Sequence, residues 1–207
     1  MKSTAGAHRR HPWTVHRLAA DFEVIDVWRF EVGSGALGFE RFLDAFWAEM
    51  QIAEGWALSR LRVAIGKLAG WDEAPNSLPI PGCSESSVAE RLSVEEQAKN
   101  RVPAGAPSPL PVAAVRAVYR FDDEALYEVS NDTVHALLHL GAVDGGDVEL
   151  AVYIKSRGAF TRLYMAAITP FRHLIIYPRL ITRVERRLRA AAEDARVQRM
   201  LPGGYHP

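Results

Sequence analysis

Two histidines four residues apart, His135 and His139 in DTVHALLHLG, and an adjacent Arg172-His173 pair in LYMAAITPFRHLIIYP stand out as side chains able to do chemistry. An imidazole titrates near neutral pH and can act as a general base or a metal ligand. An arginine is a permanent cation with five donors in a fixed fork. Both sets sit in apolar stretches, where burying a polar group unpaired costs roughly 2–7 kcal/mol. They must therefore satisfy partners or line a pocket. Tyr119, Tyr153, Tyr164 and Tyr177 could add hydroxyls to such a pocket, and Trp28 a planar wall.

Spacing narrows the chemistry. The β-branched residues before His135 and the glycine after His139 predict a strand over 132–141. Period two then puts both rings on one face, about 13 Å apart. That is too far for one metal ion, and no metal site is expected. Arg172 has two readings. It pins helix to sheet by pairing with a carboxylate such as Asp132 or Glu128, or it anchors a ligand. The first is preferred, with His135 or His173 facing the cavity. The catalytic assignment stays unknown. Ser130 and Thr133 are nucleophile candidates by chain proximity alone, and G-x-S-x-G is absent. Cys83, in PIPGCSESS, lacks neighbouring basic groups and reads as an ordinary free thiol.

The elements that must position these groups follow from periodicity. Residues 23–32, EVIDVWRFEV, alternate as a strand with Val24, Asp26, Trp28 and Phe30 on one face. A helix then carries Phe39, Phe42, Phe46 and Met50 on one stripe. A second helix carries Leu58, Leu61, Ile65 and Leu68. Residues 73–111 hold seven of the twelve prolines and read as a loop that contains two short helix starts, with capping-box spacing at Ser87/Glu90 and Ser93/Glu96. Strands are expected over 115–121, 125–129, 132–141 and 148–155, the last two joined through an Asp-Gly turn. After Gly158 the chain turns helical, broken or kinked at Pro170 and Pro178, and ends in a helix over 179–200.

Strands in succession followed by helices indicate an α+β fold. The expectation is a curved antiparallel sheet packed on a long C-terminal helix, helix-grip-like, with two helices after the first strand. Residues 1–12 are expected to be a flexible tail and 201–207 another, flanking one domain over 13–200. Lys+Arg and Asp+Glu both number 25. Zero net charge disfavours a nucleic-acid partner. One cysteine suits a reducing compartment, and no h-region opens the chain. Residues 159–181 carry too many arginines to span a bilayer. A cytoplasmic protein without membrane insertion is expected.

VHRLAADFEVIDVW, SNDTVHALLHLG and LYMAAITPFRHLIIYP resemble the DUF2867 family of uncharacterised bacterial proteins, over about residues 12–189. The resemblance implies kinship with helix-grip (START/Bet v 1-like) folds, which enclose an apolar cavity between sheet and helix. Some members follow a short-chain dehydrogenase-like domain. This chain lacks the strand–GxGxxG–helix of such a domain, and no cofactor is expected. The function expected is binding of a small apolar or aromatic molecule in that cavity, with catalysis unassigned. The alternative is a non-catalytic module that docks on a reductase partner or on a second copy of itself.

Overall fold

A computed structural model describes residues 2–33, 38–53, 78–103, 105–110, 115–131 and 134–200, with the side chains of 53, 159–164 and 199–200 left aside. Two short helices, α1 (Ala5–Arg10) and α2 (Val15–Leu18), precede strand β1 (Glu23–Phe30). Helix α3 (Phe39–Ala53) follows, then a 3-10 turn (Val88–Arg91) and helix α4 (Val94–Lys99). Strands β2 (Arg116–Arg120), β3 (Glu124–Ser130), β4 (Val134–Ala142) and β5 (Val148–Ser156) come next. The chain ends in α5 (Ala159–Phe171), a π turn (Arg172–Ile176) and α6 (Tyr177–Met200). The expected second helix, with Leu58 to Leu68, lies outside the described residues, as do Trp56, Trp71 and the 201–207 tail.

The five strands form one open antiparallel sheet in the order β1-β5-β4-β3-β2, so the fold is α+β as the pattern predicts. Alternation gives the sheet two different faces. Leu138, Leu140, Leu150 and Val152 join Phe42, Phe46, Val184 and Leu188 in a core against α3 and α6. Leu126, Leu137, Ala151 and Tyr153 face the other way, under Trp13, Leu18, Ile80 and Val88. Each large side chain buried this way contributes roughly 1.5–3 kcal/mol. A bulge between Val24 and Asp26 keeps Trp28 and Phe30 on the α6 side while Val24 packs on the opposite side.

Two expectations need correction. Residues 1–12 are not a free tail. Ser3 N–H bonds the carbonyl of Val27 at 3.0 Å, Thr4 caps α1, and His8 is 1% exposed. An amphipathic turn this short gave no periodic signal, and its buried member is polar. Within 73–111, both expected capping boxes form and start short helical turns, and Ile80, Val88 and Leu92 pack on the sheet. Pro170 does not break α5, which runs through it. The change of helical register comes at the π turn, where Tyr177 N–H bonds Arg172 O five residues back. Pro178, without an N–H, cannot supply the next ordinary helical donor. Gly145 and Gly146, at φ 84° and 82°, make the β4–β5 turn, where a side chain would be strained.

Candidate functional site

Between the sheet and the two C-terminal helices lies a cavity of about 230 Å³. Ala136, Leu138 and Val152 of β4 and β5 line it, with Ile168 of α5 and Ile176 of the π turn. Among the described lining residues, Arg172 and Tyr177 alone carry polar ends. The π turn sets them there; such turns often mark functional positions.

Both residues meet Asp26, which the β1 bulge turns toward α6 and which is 2% exposed. The Tyr177 hydroxyl donates to Asp26 Oδ2 at 3.0 Å, and Arg172 Nη2 approaches the same oxygen at 3.3 Å. His173 Nε2 bonds Asp26 Oδ1, and its ring meets Trp28 edge-on at 5.7 Å. Two hydrogen-bond donors and one fixed cation let a carboxylate be buried. Burial, and then the Asp26 charge, push the Tyr177 hydroxyl well above its ordinary value, so it remains a neutral donor. Arg172 Nε is buried without a hydrogen-bond partner. Arg172 thus pairs with a carboxylate across the helix–sheet boundary, but with Asp26. Glu128 serves other groups, and Asp132 lies outside the described residues.

His135, His139, Tyr119 and Tyr153 sit on the opposite face of the sheet. This corrects the expectation that they share the cavity: alternation sends 135, 137 and 139 away from the face that 136 and 138 present. There the histidines meet Glu124 and Glu128, the second of them expected on Arg172. Glu124 and Glu128 are four apart on β3, as His139 and His135 are on β4. The register pairs Glu124 with Gly141 and Glu128 with Leu137, so each glutamate reaches a histidine two positions along the diagonal. The distances are 3.1 Å for His139–Glu124 and 2.5 Å for His135–Glu128. The matched spacings of EALYE and HALLH were the signal available in the sequence.

Each carboxylate is fully engaged. Glu124 accepts from Thr14 N–H at 3.0 Å and from the Tyr119 hydroxyl at 2.9 Å. Burial pushes its carboxyl up, and the His139 and Thr14 hydrogen bonds outweigh that, leaving it below the usual range. Glu128 accepts from Ser87 Oγ at 2.5 Å, Val88 N–H at 3.1 Å and Arg116 at 3.0 Å. Burial opposes its ionisation and the His135 and Ser87 bonds prevail. Burial holds the His139 ring down to about 4, so it is neutral at pH 7 and donates through Nε2.

A third pair comes from α1. His8 Nδ1 meets Glu149 at 2.5 Å, and its Nε2 meets the Tyr153 hydroxyl at 2.7 Å. Tyr153 also contacts His16 Nδ1 at 3.1 Å, and His16 Nε2 donates to the His8 carbonyl at 3.1 Å. Burial and neighbouring His8 lower the His16 ring, so its Nδ1 accepts from Tyr153. Trp13 covers this cluster, with its ring 5.1 Å from His139. No cluster of metal-ligating geometry occurs among the described residues, and no described helix is long and apolar enough to cross a membrane. The side chain of Tyr164 lies outside the described residues.

The carboxylates of the polar face are paired, although Trp13 Nε1, His135 Nδ1 and His139 Nδ1 are buried there without partners; the helix face combines a largely apolar cavity with a cation whose Nε is likewise unbonded. The second is the candidate site. No curated protein and no solved structure matches the chain. The family model described as protein of unknown function (DUF2867) matches residues 18–179, and the chain belongs to that family.

Proposed function

We propose that the protein binds a small, largely apolar molecule between its sheet and C-terminal helices, in the manner of helix-grip folds. One observation carries this reading: an apolar cavity of about 230 Å³ with Arg172 and Tyr177 as its polar lining. Binding pockets combine apolar walls with few orienting groups. An empty apolar cavity of about 150 Å³ is already enough to take up benzene. Propylbenzene is a suitable probe. It should raise the melting temperature of the wild-type chain and leave that of Ala136→Phe unchanged, because the new ring occupies the cavity. No response of the wild type to propylbenzene or to a polar analogue of its size sinks the proposal.

A second reading, docking on another protein or a second copy, draws on one feature. Leu174 is 76% exposed and shares an outer helical surface with exposed Ala166 and Pro170. Sedimentation velocity of wild type against Leu174→Asp tests it; a monomer in both cases, with no captured partner, removes it.

A further inference from the structure

We infer that the cavity takes a neutral molecule whose apolar body bears one hydrogen-bond-accepting oxygen, a ketone, aldehyde or ester carbonyl, seated on Arg172. This rests on the cavity reading above and adds the chemistry of the head group. Arg172 Nη2 is committed to Asp26 and to Thr169 Oγ1, at 3.3 and 3.1 Å. Its Nε–H is buried with no partner. The Tyr177 hydroxyl spends its proton on Asp26. Arg172 Nε is therefore a buried donor left without a partner beside the cavity, and what it requires is an acceptor.

Charge sets the second limit. Asp26 lies within 3.3 Å of the guanidinium, so the cation that lines the cavity is already offset. A carboxylate ligand would enter as an uncompensated charge among apolar walls, which is strongly unfavourable. A plain hydrocarbon would fill the volume but leave the buried donor unpaired. A carbonyl oxygen satisfies the donor and adds no charge.

The test compares propiophenone, propylbenzene and 3-phenylpropanoate, similar in size, by calorimetry on the intact chain at pH 8.5. Propiophenone should bind at least tenfold more tightly than either of the others. In Arg172→Lys, which keeps a cation for Asp26 and loses the Nε donor, that preference should vanish while propylbenzene binding persists. Should the variant fail to fold, the carbonyl stretch of propiophenone bound to wild type gives the answer. A shift to lower frequency than in hydrocarbon solvent supports the contact, and an unshifted band refutes it. Equal binding of all three probes, or tightest binding of the carboxylate, overturns the head-group assignment and leaves the cavity reading standing. Silence from all three takes both away.

Discussion

Single residues in this protein are defined by what they neutralise. His139 is buried beside Glu124, and its ring is held down to about 4 from an ordinary 6.5. The unfolded chain takes up that proton below about 6.5 and the folded chain does not until about 4. Stability therefore falls as pH drops through this window, by up to roughly 3 kcal/mol. Urea melts at pH 6.5 and 5 should show the loss in wild type and a flatter response in His139→Gln. Glu124, Glu128 and Glu149 have lowered values. They contribute stability above the ordinary carboxylate range that is lost as pH falls further, through their folded values. Arg172 answers to the same logic. Its removal leaves Asp26, with a side chain 0% exposed, without a fixed cation. Arg172→Ala should cost about 3–5 kcal/mol by chemical denaturation. His173→Ala should cost less, since that ring is 23% exposed. His135, fully buried on Glu128, is not the tolerant position that a cavity-facing ring would have been.

At the scale of elements, two short pieces matter more than their length suggests. Residues 2–17, with α1 and most of α2, precede the family match, which begins at residue 18, yet they supply His8, Trp13 and Thr14 to the polar face. Deleting residues 2–11 uncovers Glu149 and Tyr153. The truncated chain should lose several kcal/mol, read as a lower denaturation midpoint, because a buried carboxylate loses its partner. A truncation that melts like wild type would show the segment to be only an ornament. Trp13 is held against β4 by the lack of a side chain at Gly141, where a Cβ would stand 2.7 Å from its ring. Gly141→Ala should cost about 1–3 kcal/mol by overpacking, and Trp13→Leu in the same chain should recover part of it. The π turn does comparable work on the other face. It sets both Arg172 and Tyr177 on Asp26 although five positions separate them.

The whole molecule is a sheet with two unlike covers. One side is polar, with its carboxylates paired to histidines; the other is apolar and keeps unfilled volume under α5 and α6. Close packing is the rule in protein interiors, so a retained cavity is a standing loss of dispersion contacts. Filling it with Ala136→Phe should hold or raise the melting temperature while removing probe binding. A lower melting temperature would mean that the walls cannot admit the ring.

How much of this was legible beforehand follows from the range of each interaction. Period-two alternation placed Asp26 with Trp28 and Phe30, and Ala136 with Leu138, because side-chain direction in a strand is a local property; it failed for Val24, which the bulge moves to the other face. The capping boxes at Ser87 and Ser93 were equally readable, since donor and acceptor lie within three residues. The order of strands before the long helix gave the α+β class. Partnership was not readable. Which carboxylate meets His139, or which one holds Arg172, depends on strand register, on a bulge at Ile25 and on a helix arriving from 147 residues away along the chain. His8 had no apolar stripe to announce it, being buried by hydrogen bonds to Glu149 and Tyr153. The sequence by itself determined the elements and their faces; tertiary structure alone decided which face carries the histidine–carboxylate pairs and which keeps a cavity, because that choice belongs to long-range packing and charge pairing.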